Sequence, residues 1–246
     1  MYTYIKHIFK FFIPKRFLQK HELFFRKLLT LRYLGKTHQC NICQTKLSQF
    51  IKPNEHELIC PACGSLSRTR RLYQLLYNSD VLKGNLLHFS PSRSLYRKFK
   101  NFGTINYFSS DYADEFLADY HYDITDIDQK SSFFDTIICY HILEHVEQDE
   151  KAMKELFRVL KKKGKCFIQT PFKDGDIYEN LQIQDKEERL KHFGQSDHVR
   201  IYSVEGLKKR LETCGFSVDI TTFKDGEDDF YLGLQSSETV LVASKN

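Results

Sequence analysis

The stretch Phe134–Pro171, FDTIICYHILEHVEQDEKAMKELFRVLKKKGKCFIQTP, decides the fold. It opens on an apolar run, Asp135–Tyr140, of strand length. A polar turn carrying His141, Glu144 and His145 follows. Met153, Leu156, Phe157 and Leu160 then recur at helical spacing, with Glu150, Lys151, Lys154 and Glu155 on the opposite face. Three lysines before Gly164 suit the negative carboxyl end of a helix dipole, and the glycine stands where a C-cap is expected. A second strand, Lys165–Thr170, closes the unit. A strand, a helix and a strand in this order make a right-handed crossover between parallel strands. Ligands of such sheets bind beyond the carboxyl ends of the strands, which is where His141 and Thr170 fall.

The pattern extends outward from this unit. Upstream stand a helix near Arg68–Asn78, strands Asn85–Phe89 and Thr104–Ser109, and a short strand near Asp119–Tyr122. Downstream come a polar insertion, Phe172–Asp197, a helix, Ser203–Cys214, and two adjacent strands, Phe216–Phe223 and Thr239–Ser244. Helices alternating with strands, finished by two strands in succession, predict an α/β protein. Its sheet is doubly wound, Rossmann-like and mostly parallel, with an antiparallel edge strand. Three segments are expected: a basic helical leader over 1–36, a cysteine module over 37–70 and the α/β domain over 71–246.

In the module, Cys40-x-x-Cys43 and Cys60-x-x-Cys63 are separated by 16 residues. Thiolates two residues apart on a tight turn can both reach one Zn²⁺ at about 2.3 Å, and two such turns complete a tetrahedron. Asn41-Ile42, Pro61-Ala62 and Gly64 supply the turn character. Four protein ligands leave no open position, so a structural zinc ribbon is expected rather than a catalytic site.

The chain has 246 residues and a net charge of +5. Residues 1–36 hold nine Lys/Arg against Glu22 alone, an excess of eight, so the rest carries about −3. Because Ile5, Ile8, Phe9, Phe11, Phe12 and Ile13 interleave with that charge, the leader suits packing on its own protein or contact with an anionic membrane surface. Nucleic-acid phosphates fit it less well. No apolar run reaches the roughly 18 residues that cross a bilayer, and Met1–Lys20 lacks a small-residue cleavage site, so neither a membrane span nor a signal peptide is expected. Unpaired Cys139, Cys166 and Cys214 on apolar elements suit a reducing cytoplasm, with peripheral membrane contact left open.

FDTIICYHILEHV followed by ELFRVLKKKGKCFIQTP resembles the class I S-adenosylmethionine (SAM)-dependent methyltransferases, especially the small-molecule type with an H-x-L-E-H turn. HVRIYSVEGLKKRLETCGFSVD, His198–Asp219, looks like the penultimate helix and strand of the same family. The resemblance covers roughly Gly84 to the C-terminus. It implies SAM as cofactor and assigns candidate residues. Leu86–Ser94, LLHFSPSRS, takes the place of the family's acidic residue and glycine-rich turn, so His88 stands for the acid and Ser90, Ser92 and Ser94 for glycines. Pro91 removes a further N–H. Pyrophosphate needs those donors, which argues against a dinucleotide. SAM carries no phosphate, and its carboxylate could be held by serine hydroxyls and a helix N-terminus.

By the same resemblance Asp111 accepts from the ribose hydroxyls, Asp123 and Ile124 read the adenine edge, and Tyr140 lines the cofactor site. His141 is expected at the methyl-transfer pocket, with His198 and Arg200 holding or deprotonating the acceptor. Glu144 and His145 either join them or merely orient the turn. The expected activity is methyl transfer to a small-molecule or lipid-linked metabolite. Two alternatives stay open: a catalytically degenerate, zinc-containing binding or scaffold protein, and an RNA methyltransferase.

Overall fold

The computed structural model describes residues 21–54, 57–224, 226–234 and 237–246. The membrane-seeking reading of the leader falls largely on Met1–Lys20, outside those residues. In chain order the elements are α1 (Glu22–Thr30), β1 (Leu34–Gln39), β2 (Lys46–Leu47), β3 (Ile51–Asn54), β4 (Glu57–Ile59) and α2 (Ser67–Asn78). Then come β5 (Gly84–Phe89), α3 (Arg93–Lys100), β6 (Ile105–Ser110), β7 (Phe134–Tyr140), α4 (Asp149–Val159) and β8 (Leu160–Gln169). The chain continues through β9 (Tyr178–Glu179), α5 (Lys186–Phe193), β10 (Arg200–Ile201), α6 (Val204–Thr213), β11 (Ser217–Thr222), α7 (Glu227–Leu232) and β12 (Thr239–Ser244). No helix among the described residues is long and apolar enough to cross a membrane.

Two compact units divide the chain. The first combines the described residues up to Ser79 with Ser92–Asn101 and Lys224–Glu238. It holds two small antiparallel hairpins, β1–β2 and β3–β4; Cys40 and Cys43 lie in the loop of the first, and Cys60 and Cys63 follow β4 before α2. Arg70 on α2 is fully buried and ties the unit together. Its guanidinium donates to the carbonyls of Ser65 (2.6 Å), Leu58 (3.1 Å), Leu232 (2.9 Å) and Gly233 (3.1 Å), and it lies 4.2 Å above the Phe50 ring. A buried cation survives here because carbonyl dipoles replace its hydration. Arg71 pairs with Asp229. Gly233 adopts φ 59, and a Cβ there would lie 2.4 Å from the Phe50 ring, so only glycine lets the segment approach. From α1, Glu22 pairs with Arg26 (2.8 Å) and Arg97 (2.7 Å), and Arg26 also donates to Pro61 O (3.5 Å).

The second unit comprises Asp80–Pro91, Phe102–Phe223 and Thr239–Asn246. Its six-stranded sheet has the order β11-β12-β8-β7-β5-β6. β6, β5, β7 and β8 are parallel, and β12 runs antiparallel to both of its neighbours. This is the expected mostly parallel, Rossmann-like sheet, with the antiparallel strand one in from the edge. Leu87 and Phe89, Ile137 and Cys139, Cys166 and Ile168, and Leu241 and Ala243 point to one face. There they join Ala152, Met153 and Leu156 of α4 and Leu207 and Leu211 of α6 in the main core.

Two local readings change. α4 ends at Val159, and Leu160 is already extended, so Gly164 is no C-cap. Between Phe134↔Leu160 and Thr136↔Lys165 the register shifts, which bulges 161–164 out of β8. Lys163 takes φ 63 within this bulge, and a Cβ on Gly164 would lie 3.0 Å from Asp135 O. The glycine therefore serves close strand approach, not helix termination. The short strand near Asp119–Tyr122 contracts to a single parallel bridge, Ser110↔Tyr120.

Candidate functional site

At the carboxyl ends of β5 and β6, Ser90 takes a backbone shape that favours glycine. Ser90 has φ 44, a left-handed conformation that costs a non-glycine residue roughly 1–3 kcal/mol. Its amide donates to Ser110 O (2.7 Å) and its hydroxyl to Asp111 Oδ1 (2.7 Å). Asp111 is 3% exposed, and its Oδ2 accepts from the amides of Glu115 (2.7 Å) and Phe116 (3.0 Å). Its carboxylate thus folds the turn that follows β6 and leaves an acceptor position on Oδ1. Asp123 Oδ1 accepts from the amide and hydroxyl of Thr125, both at 2.8 Å, in a tight turn, and Ile124 is buried beside it. His88 lies within β5, where burial pushes its pKa down to about 3, so it is a neutral ring; its Nδ1 is 3.2 Å from Tyr107 Oη. Ser92 belongs to the first unit, where its hydroxyl accepts from Leu95 N at the start of α3.

The carboxyl ends of β7 and β8 hold a second polar group. Tyr140 closes β7 opposite Gln169. His141 then takes φ 55, and its amide donates to Gln169 O (2.8 Å). His141 Nε2, Glu144 Oε2, Gln169 Oε1 and Thr170 Oγ1 are all buried without a hydrogen-bond partner among the described residues. Such atoms are costly unless something polar meets them. His141 Nδ1 lies 3.2 Å from Glu144 Oε1. One residue further on, the His145 ring meets the His198 ring edge to face, with centroids 4.7 Å apart. Burial pushes the His198 pKa down, and neighbouring His145 adds to the shift.

Arg200, expected to hold an acceptor, turns away from this group. It is 1% exposed and donates to the carbonyls of Leu143 (3.1 Å), Val146 and Glu147 (2.9 Å) and to Glu179 Oε2 (2.9 Å). It therefore braces the turn after β7 and fastens the insertion through β9. Asp149 accepts from Tyr202 Oη (2.5 Å) and Arg210 Nη1 (2.6 Å) in the same network. His198 and Arg200, both read from the sequence as groups that hold or deprotonate an acceptor, have different partners: the His198 ring packs on His145, and Arg200 binds backbone carbonyls.

The four cysteines converge in the first unit. Cys40 and Cys63 sulfurs lie 3.7 Å apart, as do those of Cys43 and Cys60, and all four fall within 4.8 Å of one another. A tetrahedron with ~2.3 Å metal–sulfur bonds has edges of about 3.8 Å, so the sulfurs fit one ion. The knuckles repeat each other. Gln44 N donates to Cys40 O (2.8 Å) and Gly64 N to Cys60 O (2.9 Å), with φ 62 at Gln44 and φ 78 at Gly64. Thr45 and Ser65 hydroxyls each lie 3.2 Å from the second sulfur of their knuckle. This correspondence of Cys40–Thr45 with Cys60–Ser65 is a short internal repeat that sequence reading passed over; only the two C-x-x-C pairs signalled it. Among the thiols, hydrogen bonds from Cys43, then Cys60 and Cys63, pull Cys40 well below its ordinary pKa, while Cys60 and Cys63 are pushed up, first by Cys40. The four cannot ionise together without a cation to neutralise them.

A parallel sheet with this strand order, one antiparallel strand, and strained residues at the carboxyl ends of β5 and β7 defines a doubly wound ligand-binding domain. Residues 107–220 match a family described as a methyltransferase domain. A solved SAM-dependent methyltransferase from Archaeoglobus fulgidus shares the fold with TM-score 0.50 and 14% identity, over 70% of this chain and 92% of that one. The YcgJ protein from Bacillus subtilis aligns with TM-score 0.49 and 11% identity, over 71% of this chain and 98% of that one. No curated protein sequence matches the chain. The second unit thus has the fold of a solved SAM-dependent methyltransferase, and within it residues 107–220 are similar to the methyltransferase-domain family.

Proposed function

We propose that the protein transfers a methyl group from SAM to a small-molecule or lipid-linked acceptor. The observation that carries this reading is the set of unpartnered buried atoms on His141, Glu144, Gln169 and Thr170, at the strand ends where such sheets take their ligands. Residues present fit the cofactor. Ser90 has the left-handed conformation, Asp111 keeps an acceptor position for a ribose hydroxyl, and we assign Asp123 with Ile124 to the adenine edge. In the same unit Tyr140 ends β7, and neutral His88 lies one residue before the end of β5.

The bound cofactor supplies an electrophilic methyl carbon. The chain's own residues then align the acceptor and exclude water, which is most of what an in-line displacement needs. His141, held by Glu144, is the group placed to take a proton from a hydroxyl or amine acceptor, with His198 packed on His145 of the same turn. Arg200 acts as a positioning residue for that turn. We assign a structural zinc to Cys40, Cys43, Cys60 and Cys63, because the sulfur spacings match a tetrahedral site. For the leader we propose reversible contact with anionic membrane, supported by the exposed Leu23, Phe24, Leu28 and Leu31 of and beside α1.

Calorimetric titration tests the central reading. SAM and its demethylated product should each bind once per chain. Absence of heat with both would leave the degenerate scaffold reading in place.

A further inference from the structure

A second cluster of ligating groups sits on the turn after β7. One carboxylate oxygen of Glu144 and one ring nitrogen each from His145 and His198 lie within 4.8 Å of one another. The geometry points to a divalent-cation site on Glu144, His145 and His198, distinct from the four-cysteine site.

Three features favour a ligand set over a chance meeting. The first is a fixed scaffold. A short 3₁₀ turn over Leu143–His145 sets Glu144 and His145 side by side, and Val199 N donates to Glu144 O (2.9 Å), which docks the His198 segment on that turn. Arg200 holds the carbonyls on either side of it. The second is the hold on the His145 ring. Around His145, Nδ1 lies 3.3 Å from both the carbonyl and the Oδ2 of Asp197. Metal-bound imidazoles usually donate their other N–H to such groups, which here leaves Nε2 to coordinate. The third is unmet demand. Glu144 is 1% exposed and its Oε2 has no donor among the described residues. A cation satisfies that oxygen and removes the cost of a buried, half-partnered carboxylate.

Donor chemistry narrows the ion. Two imidazoles and one carboxylate are borderline ligands, suited to Zn²⁺, Mn²⁺, Fe²⁺ or Co²⁺ more than to Ca²⁺ or Mg²⁺. Three protein ligands leave positions open, and the His145 side chain is 32% exposed, so solvent reaches the cluster at that ring. Resting on the methyl-transfer reading, those positions would take oxygen atoms of the acceptor next to His141. The substrate class is then an oxygen chelator, such as a vicinal diol or a hydroxy acid.

The test uses the full-length protein. After dialysis against citrate, which leaves thiolate-bound zinc in place, MnCl₂ is titrated while free Mn²⁺ is followed by paramagnetic resonance. Wild type should bind one Mn²⁺ per chain. Glu144→Gln and His145→Asn should each weaken it at least tenfold, with one zinc per chain retained. His145→Asn guards against misfolding, since that ring is partly exposed. No Mn²⁺ uptake by wild type, or equal uptake by both variants, overturns the site. SAM is titrated into the same wild-type sample. Mn²⁺ binding without SAM binding upholds the metal site and removes the methyl-transfer reading instead.

Discussion

Replacing Arg200 with methionine should loosen the turn after β7 and leave the cofactor's end of the sheet intact. Arg200→Met keeps most of the apolar volume but removes the donors to Leu143 O, Val146 O, Glu147 O and Glu179. Leu143 O still receives Val146 N (3.2 Å), so two carbonyls lose the donor they have from Arg200. The carbonyls of Val146 and Glu147 are only part-buried, so each lost bond costs toward the low end of about 1–3 kcal/mol, giving about 2–3 kcal/mol for the pair. The partly exposed bond to Glu179 adds under about 1 kcal/mol, and Arg210 still holds that carboxylate. Relief from burying the guanidinium offsets part of this, so the net loss should be about 2 kcal/mol. With a urea m-value of about 2 kcal/mol/M, the midpoint of the second unit should fall by about 1 M. Hydrogen exchange resolves the site: amides of 143–149 and 178–179 should lose protection, while those of β5 and β6 keep theirs. Unchanged urea stability and exchange, together with lost acceptor binding, would refute the bracing role and restore Arg200 as a substrate ligand.

Asp111→Ala should weaken SAM by roughly a hundredfold, about 2–3 kcal/mol, because it removes both a ribose acceptor and the clamp on the 112–116 turn; calorimetry giving an unchanged dissociation constant would place the pocket elsewhere. Elemental analysis should find one tetrathiolate-bound zinc per chain, absent in Cys63→Ser, whose residues 34–70 should then exchange rapidly. Acid should expose the cost of His88. Its folded pKa of about 3 lies below the ordinary value of 6.5, so the unfolded chain takes up a proton that the folded one refuses. Stability from this group is present above pH 6.5 and falls by about 1.4 kcal/mol per pH unit on acidification towards 3. His88→Gln should flatten that slope in denaturation measured from pH 7 to pH 4. Deleting Met1–Gln19 should abolish co-sedimentation with anionic vesicles without changing SAM affinity; binding to structured RNA with a steep salt slope instead would favour the RNA reading.

How legible was the molecule in its sequence? Periodicity revealed the crossover from β7 through α4 to β8, because burial on one helical stripe and on both sheet faces leaves a local record in every turn. The two C-x-x-C pairs announced their convergence, since each pair closes its own turn. Position in the motif order put His141 at a strand end, where the structure also has it. Other features depended on residues far apart in the chain. Nothing near Arg70 in sequence marks it as the buried cation that joins the carbonyls of Leu58, Ser65, Leu232 and Gly233. That Glu227–Leu232 belongs with the cysteine module, although it lies between two sheet strands, depends on those same long-range bonds. Arg200 read as a substrate ligand because its type and spacing allow it; the three carbonyls that claim its guanidinium lie more than fifty residues away. His198 likewise gained its meaning only when a backbone bond from Val199 brought it against Glu144 and His145. Local pattern determines which segments become helix or strand and which turns can bind, because burial and dipoles act within a few residues. Partner choice for a charged side chain is decided by whichever acceptors the tertiary fold brings within hydrogen-bond reach.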